Sequence, residues 1–476
     1  MPRIIFRADA SPQVGYGHFI RSLALADMLK NDFDIYFATV DATDCQLKEL
    51  STVCRHLPLK QDTHFENFLS LLTGEEIVVL DNYFFTTEYQ REIKSKGCKL
   101  ICIDDIQDRH YVADIVINHG VDNPTGFSKE PYTQLCLGTR YLLLRSGFLS
   151  ARQTVGLNAT NNNLFICMGG ADPQNYTLNV LQELVKNRSN YHCHVVIGNA
   201  YGHTKELESF AEETTFPVQI YQQLNEQELI SLMQQCAQAV CSPSTVSLEY
   251  LSVTSGTLYL IQTADNQKNI YHLLTSNELA FDFNEVCTGN ACHPDPLKRE
   301  LFFDQNVKNR FIQMFRSLQK ETACLLRRTQ LSDMDIYFNW ANDTETRNQS
   351  INTQPIPYEQ HVDWFHHKLA DSESICLVME RNQTLLGQIR FDIHESGNAL
   401  ISYSVDKNHR GKGYGFTLVR SGLESFVKEH PHTSVFEAWV NSGNIASCRI
   451  FEKLSFRKKK IETVDTAVFV VYEYAK

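Results

Sequence analysis

The sequence predicts an α/β chain in three parts: two Rossmann-like halves with a cleft between them, then a smaller mixed α/β domain. Three observations carry that reading. Short β-prone runs alternate with helix-compatible segments through residues 1–300, the pattern of parallel strands joined by crossover helices. A polar, turn-rich stretch at 157–163 divides those runs into two sets. Near residue 324 the composition changes, and a series of antiparallel-looking strands begins. The expected parts are residues 1–155, 156–322 and 323–476.

In order, the first set of strands is expected at 4–6, 35–38, 77–80, 99–103 and 115–117. The second set falls at 164–168, 194–197, 218–220, 238–241 and 258–261. The third set falls at 375–380, 384–392, 399–405, 435–440 and 467–474. A length of 476 residues suits two to four domains, and 43% hydrophobic residues is ordinary for a globular chain. The net charge of −12 argues against broad nucleic-acid binding. None of the 14 cysteines forms a Cys-x-x-Cys pair, and several sit in apolar runs such as those around Cys102 and Cys167. Buried, reduced thiols in a cytoplasmic protein are therefore expected. Residues 2–7 read as a first strand rather than a leader, and no apolar run approaches the length of a membrane span. No membrane or nucleic-acid partner is expected, and the oligomeric state stays open.

The motif Gly15-Tyr16-Gly17-His18 follows the first strand and leads into a helix expected over 19–30. Glycines there let backbone approach a ligand closely. His18 at the helix start meets the positive end of the dipole, which favours the neutral imidazole that a general base needs. The bland alternative is a glycine turn and a histidine that caps a helix. In the second set, Gly169-Gly170-Ala171-Asp172 ends one strand, and Ser242-Pro243-Ser244-Thr245 ends another before a helix. Their amides and hydroxyls suit a diphosphate, and Glu249 suits a ribose diol; a tight turn and simple N-capping are the alternatives. Asp104 and Asp105 end a strand and read as solvated carboxylates rather than metal ligands.

A resemblance sharpens this reading. Arg7-Ala8-Asp9-Ala10-Ser11, then Gly15-Tyr16-Gly17-His18-Phe19-Ile20-Arg21, resemble the opening of the UDP-sugar hydrolases of pseudaminic-acid biosynthesis, relatives of the GT-B glycosyltransferases. The likeness runs on through Asp81-Asn82-Tyr83, Ile103-Asp104-Asp105, Asn118, Gly169-Gly170-Ala171-Asp172, Ser244-Thr245, Glu249 and Asn266-Gln267, so it spans roughly residues 1–300. It implies a GT-B-like pair of lobes and metal-independent attack of water on the anomeric carbon of UDP-2,4-diacetamido-2,4,6-trideoxy-altrose. His18 would then orient or deprotonate the water. Gly17 would touch the ligand through its backbone, Tyr83 and Asn266 would line the sugar site, and Gly170, Ser244, Thr245 and Glu249 would hold UDP. The run Asp9-Ala10-Ser11 departs from the family's serine-rich pattern.

The last part holds the most specific motif. Asn408-His409-Arg410-Gly411-Lys412-Gly413-Tyr414-Gly415 lies between a strand and a helix expected over 416–428. Its glycines and the helix start form a pyrophosphate cradle with the spacing of an acyl-CoA site. With Asn441-Ser442-Gly443-Asn444 and Phe451-Glu452-Lys453-Leu454-Ser455-Phe456, it resembles the GNAT N-acetyltransferase superfamily over about 325–476. That implies acetyl-CoA as cosubstrate, held by Val405 backbone atoms and by the amides of Arg410, Gly411, Lys412, Gly413, Tyr414 and Gly415, with Asn444 on the CoA arm. Phe451 stands where many members have a tyrosine that protonates the leaving thiolate, and Ser455 replaces a glycine. The run Arg457-Lys458-Lys459-Lys460 reads as a solvated basic edge rather than a phosphate site. His361, His366 and His367, with Trp364 and Phe365, read as surface or packing residues.

Taken together, the two resemblances imply a bifunctional enzyme. One half N-acetylates a UDP-4-amino-sugar, and the other hydrolyses the product; no metal is expected. Other readings are a glycosyltransferase fused to an acetyltransferase, or a non-catalytic nucleotide-sugar-binding region fused to a protein N-acetyltransferase.

Overall fold

A computed structural model describes residues 3–9, 16–151, 161–187, 190–287, 298–299, 302–303, 306–322, 324–381, 383–465 and 467–476. Ala10, Ser11, Gly15 and most of the expected linker lie outside the described residues.

The first sheet is wholly parallel. Its strands run, in spatial order, Arg55–Leu59, Asp34–Val40, Arg3–Ala8, Ile77–Asp81, Lys99–Ile103, Ile115–Asn118 and Gln134–Leu137. The chain starts in the middle, steps twice to one side, then returns and continues on the other. This is a doubly wound order, with its switch point between Arg3–Ala8 and Ile77–Asp81. Successive residues feed opposite cores: Phe6, Val79 and Ile101 one face, Ile5, Val78 and Leu100 the other. Burial on both faces explains the continuous apolar runs in the sequence.

The second sheet repeats the order with six strands: Val218–Gln222, His192–Ile197, Asn163–Cys167, Gln238–Cys241, Thr257–Leu260 and Phe281–Asp282, again all parallel. Its switch point lies between Asn163–Cys167 and Gln238–Cys241. After this sheet the helix Val307–Thr322 returns to the first core, where Phe311, Phe315 and Leu318 are fully buried.

The third sheet has the order Leu325–Arg328, Ser374–Arg381, Thr384–Ile393, Ala399–Val405, Val435–Asn441, Ala467–Ala475 and Arg457–Val464. Most neighbours are antiparallel, as expected. The exception is the pair Ala399–Val405 and Val435–Asn441, which run parallel and touch only at Ala399↔Phe436, Leu400↔Glu437 and Ile401↔Ala438. Beyond Ile401 the two strands part, leaving a V-shaped opening lined by backbone. The helix Tyr414–Glu429 crosses the sheet behind that opening and buries Leu418, Val419, Leu423 and Phe426.

The same helix presents its other side to the first lobe. Lys94, Lys99 and Arg420 meet Asp114, Glu321 and Glu424 there, three cations against three anions. Lys94 Nζ lies 2.7 Å from Asp114 and 2.6 Å from Glu424. Lys99 Nζ lies 3.3 Å from Asp114, and Arg420 binds Glu321 through Nε at 3.1 Å. Nearby, Tyr474 Oη donates to the Lys129 carbonyl at 2.6 Å. Balanced pairing of this kind is what permits so many charges to be buried. The cysteines whose side chains are described are free thiols, mostly buried. Among the described residues, no helix is long and apolar enough to cross a membrane.

Candidate functional site

The first candidate centre sits outside the carboxyl ends of the first sheet, at its switch point. The helix Gly17–Leu29 starts two residues earlier than expected, so His18 lies in its first turn and is 5% exposed. His18 Nδ1 is 2.7 Å from Asp81 Oδ1, at the end of the adjoining strand. Arg21, one turn further along the helix, donates through Nε to Asp81 Oδ2 at 2.7 Å, and Ser22 Oγ donates to the same oxygen at 2.9 Å. Arg21 Nη2 also approaches His18 Nδ1 at 3.0 Å. The closer, anionic Asp81 is the stronger acceptor, so the ring hydrogen is assigned to Nδ1 and the lone pair to Nε2. Burial would raise the Asp81 carboxyl, but Arg21 and His18 outweigh it and hold the group below its ordinary range. The orienting partner of the histidine is thus a buried carboxylate, where the sequence had offered the helix dipole.

A chain of hydrogen bonds leads from this pair to the second lobe. Arg21 Nη1 donates to Asp105 Oδ2 at 2.9 Å, and Tyr83 Oη donates to the same oxygen at 2.9 Å. Asn266 Nδ2, from the second lobe, donates to Tyr83 Oη at 2.7 Å. The Tyr83 ring stands edge-on to His18, with centroids 4.5 Å apart. Burial and Asp105 push the Tyr83 phenol up, so it stays protonated as a donor. Asp104 is buried and accepts from Asn118 Nδ2 at 2.9 Å. The expectation of two solvated carboxylates is corrected: both aspartates follow the strand Lys99–Ile103, and both are absorbed into hydrogen-bond networks with Asn118, Arg21 and Tyr83.

Facing this centre, the second lobe offers its own strand ends. Gly169 has φ +94°, and a Cβ on Gly170 would touch the Tyr16 ring at 3.4 Å. Ser244 is the N-cap of the helix Thr245–Val253 but makes no capping bond to it, which leaves that helix start open to an anion. Ser244 Oγ lies 3.1 Å from Ser242 Oγ instead. Glu249 is 3% exposed and accepts from Arg145 Nε at 2.8 Å. Burial raises its carboxyl, and Arg145 opposes that effect. Gly17 is exposed, and nothing lies within 4 Å of where its Cβ would be. Among the described residues, no group of three or more His, Cys, Asp or Glu side chains is placed to hold a metal ion.

The second candidate centre is the V-shaped opening of the third sheet, part of a groove of about 1140 Å³. Gly411 and Gly413 have φ +72° and +86°, and a Cβ on either would point into open space. Left-handed backbone at both positions turns successive amides toward the groove. The helix Tyr414–Glu429 begins there with Gly413 as its N-cap and no side-chain cap. Gly415 is tightly packed: a Cβ would meet Ile450 at 3.1 Å and Val405 at 3.6 Å. The Arg410 side chain turns away, to Asp343 at 2.6 Å and Glu345 at 2.7 Å. Its backbone therefore faces the loop while its charge ties the loop to the helix Thr344–Asn348. Lys412 Nζ donates to the Asn408 carbonyl, and Tyr414 Oη accepts from Arg381 at 3.2 Å. Asn444 caps the helix Ile445–Lys453 through its Oδ1, 3.1 Å from the Ser447 amide.

Away from the loop, His361 is buried and its Nε2 meets the Met334 carbonyl, while His366 and His367 are exposed. Phe365 is core; Trp364 lines the groove beneath the Arg390 guanidinium at 5.2 Å. The basic run at 457–460 lies on an edge strand, with Lys459 paired to Glu437 and Glu473.

Residues 324–457 match the family model described as an acetyltransferase (GNAT) domain. An uncharacterized protein of Methanocaldococcus jannaschii is 23% identical over 489 aligned residues, covering 96% of this chain and 97% of its own length. The UDP-2,4-diacetamido-2,4,6-trideoxy-beta-L-altropyranose hydrolase of Campylobacter jejuni is 26% identical over 216 residues, 44% of this chain and 74% of that protein. Among solved structures, the spermidine N-acetyltransferase of Vibrio cholerae in complex with CoA and spermine aligns at 15% identity and a TM-score of 0.30, covering 32% of this chain and 96% of its own. The ribosomal-protein-alanine N-acetyltransferase of Brucella melitensis aligns at 21% identity and a TM-score of 0.29, covering 32% and 99%. The chain is thus a mixed α/β protein with parallel sheets and a C-terminal GNAT acetyltransferase domain, for which acetyl-CoA is the cosubstrate.

Proposed function

We propose that this chain is a bifunctional nucleotide-sugar enzyme of pseudaminic-acid (nonulosonate) assembly. Residues 323–476 acetylate the amine of a UDP-4-amino-sugar. Residues 1–155 and 156–322, acting as a GT-B-like pair, hydrolyse UDP-2,4-diacetamido-2,4,6-trideoxy-altrose to free sugar and UDP. The observation that supports the hydrolytic half best is the Asp81-oriented His18 on one lobe, opposite an uncapped helix start and Gly170 on the other.

In this reading His18 Nε2 takes a proton from water as the oxygen attacks the anomeric carbon. The bond to the diphosphate breaks, and its electron pair leaves with UDP. Amides near Gly170 and at the start of Thr245–Val253, with the Ser244 and Thr245 hydroxyls, absorb that charge. Glu249, kept in place by Arg145, takes the ribose. Tyr83 and Asn266 bond each other across the lobes, and the sugar would exchange that contact for its own. Gly17 lies open beside His18. On the other side, Val405, Gly411, Gly413, Gly415 and Asn444 hold the CoA.

The deciding experiment incubates the full chain with UDP-4-amino-sugar and acetyl-CoA, and follows products by mass spectrometry and NMR. Free diacetamido sugar and UDP are expected. Accumulation of an acetylated UDP-sugar would remove the hydrolase half, and no acetylation would remove the acceptor assignment.

A further inference from the structure

The position that in many GNAT domains supplies a proton to the leaving sulfur is Phe451 here, and a phenyl ring has no proton to give. Phe451 is 1% exposed and packs against Tyr472 and Phe456. A different hydroxyl pair stands nearby, and one of its members, Ser447, lies on the same helix face one turn earlier. Ser447 precedes Phe451 by four residues, so the two lie one above the other on the helix Ile445–Lys453. Ser447 Oγ is 2.7 Å from Tyr403 Oη. The Tyr403 ring stands edge-on to Phe451, with centroids 6.1 Å apart.

Tyr403 comes from the strand Ala399–Val405, two residues past the last pair with Val435–Asn441, where the sheet has just opened. Its side chain therefore reaches across the V, from the strand arm to the helix that closes the far side. Tyr403, Ser447 and Phe451 all line the groove. A Cβ on Gly415 would sit 3.7 Å from the Tyr403 ring, so the phenol also adjoins the start of the phosphate-cradling helix. Ser447 is the only hydrogen-bond partner of Tyr403 Oη among the described residues. Burial pushes the phenol up to about 12, an effect the Ser447 bond opposes, so it is protonated at neutral pH.

We propose that Tyr403, backed by Ser447, is the catalytic acid of the acetyl transfer, standing in from the strand for the hydroxyl that Phe451 lacks. As the amine forms its bond to the acetyl carbon, the carbon–sulfur bond breaks and its electron pair passes to sulfur. The Tyr403 proton goes to that sulfur. The amine loses one proton to water, and Tyr403 regains one from water through Ser447, so protons balance. The proposal rests on the acetyl-transfer reading of this groove, not on which amine is acetylated.

An equilibrium measurement tests it apart from turnover. Calorimetric titration of the full chain with CoA and with desulfo-CoA compares ligands that differ by the sulfur. The expected result is tighter binding of CoA by roughly 2- to 10-fold, the size of one hydrogen bond, and equal binding of both ligands by Tyr403→Phe. Retained preference in Tyr403→Phe would overturn the proposal. Loss of both ligands by the unaltered chain would overturn the groove reading and the proposal with it. Binding of desulfo-CoA is the folding control for the variant. Should it fail, Ser447→Ala, which keeps the phenol, is expected to lower the preference, and an unchanged preference there counts against the pair. With UDP-4-amino-sugar as acceptor, Tyr403→Phe should lower kcat about 10- to 100-fold with little change in KM for acetyl-CoA. It should lose less with thioesters of more acidic thiols. If the unaltered chain acetylates no such sugar, the acceptor assignment fails, while the CoA comparison still decides Tyr403.

Discussion

Lys99 Nζ lies 3.1 Å from Glu424 Oε2, although 325 positions separate the two residues. Lys99 starts a strand of the first lobe, and Glu424 projects from the helix that begins at the glycine loop of the third domain. Asp114 and Glu424 attract the Lys99 ammonium strongly enough to overcome its burial and raise it above the ordinary lysine range. Lys99→Met should therefore leave uncompensated carboxylates and destabilise the chain by about 3–5 kcal/mol. Glu424→Gln in the same chain should recover part of that loss. A denaturant double-mutant cycle checks the coupling, and strictly additive effects would show that the two charges are independent.

Lys129 gives the seam a pH dependence. Burial lowers its ammonium to about 7, with Glu130 opposing the shift. Its Nζ reaches the Leu454 carbonyl at 3.4 Å and stands over the Tyr474 ring. The sign follows from the depressed value. Between pH 7 and about 10.5 the unfolded chain holds a proton that the folded chain has released, so stability rises with pH across that window. Lys129→Met should flatten the rise and stabilise the chain by roughly 2–4 kcal/mol at pH 7, because each tenfold loss of proton affinity on folding costs about 1.4 kcal/mol. Thermal melts at pH 7 and pH 10 test this; an equal gain at both would rule out the titration.

Asp81 orients His18 and balances Arg21. Asp81→Asn keeps the size of the side chain but removes the anion that fixes the ring hydrogen on Nδ1. Release of free sugar should fall by up to about 10⁴-fold, the loss that follows when a catalytic histidine is deprived of its orienting carboxylate. Acetylation in the third domain should not change. Reduced acetylation would mean that the substitution disturbs the whole molecule.

The closing turn of the GNAT domain holds a local strain. Ser455 has φ +66°, the left-handed conformation that a glycine adopts without penalty. Its amide donates to Glu452, and the Phe456 amide donates back to Phe451 at 2.9 Å, so the turn closes as a helix end despite the serine. Ser455→Gly should stabilise the domain by roughly 1 kcal/mol, and Ser455→Ala should not. Unfolding of both variants in urea measures the difference.

What was legible in the sequence follows from where each strand lies. Interior strands such as 77–80 and 99–103 are buried on both faces and announce themselves as apolar runs. The overlooked strands Arg55–Leu59, Gln134–Leu137, Phe281–Asp282, Leu325–Arg328 and Arg457–Val464 are all sheet edges. An edge half-facing water tolerates a proline in the first and four consecutive basic residues in the last, so it reads as loop. The glycine loop at 411–415 was legible because its backbone demands glycine. His18 was legible as a motif, but its partners were not. Asp81, Arg21 and Asp105 meet through tertiary folding, 60 to 84 positions apart in their bonds, and no local spacing encodes that. The Tyr403–Ser447 pair was hidden likewise, by the 44 positions between strand and helix.

Arg420, 1% exposed, draws its carboxylate from Glu321, which lies just before the third sheet begins. Cutting the polypeptide there and producing the transferase piece alone would strip that guanidinium of its counter-ion and bare the flank of its longest helix. Such a fragment should be poorly soluble beside the uncut molecule. Any kinetic comparison of isolated halves would then report on damaged parts instead of on the partnership itself.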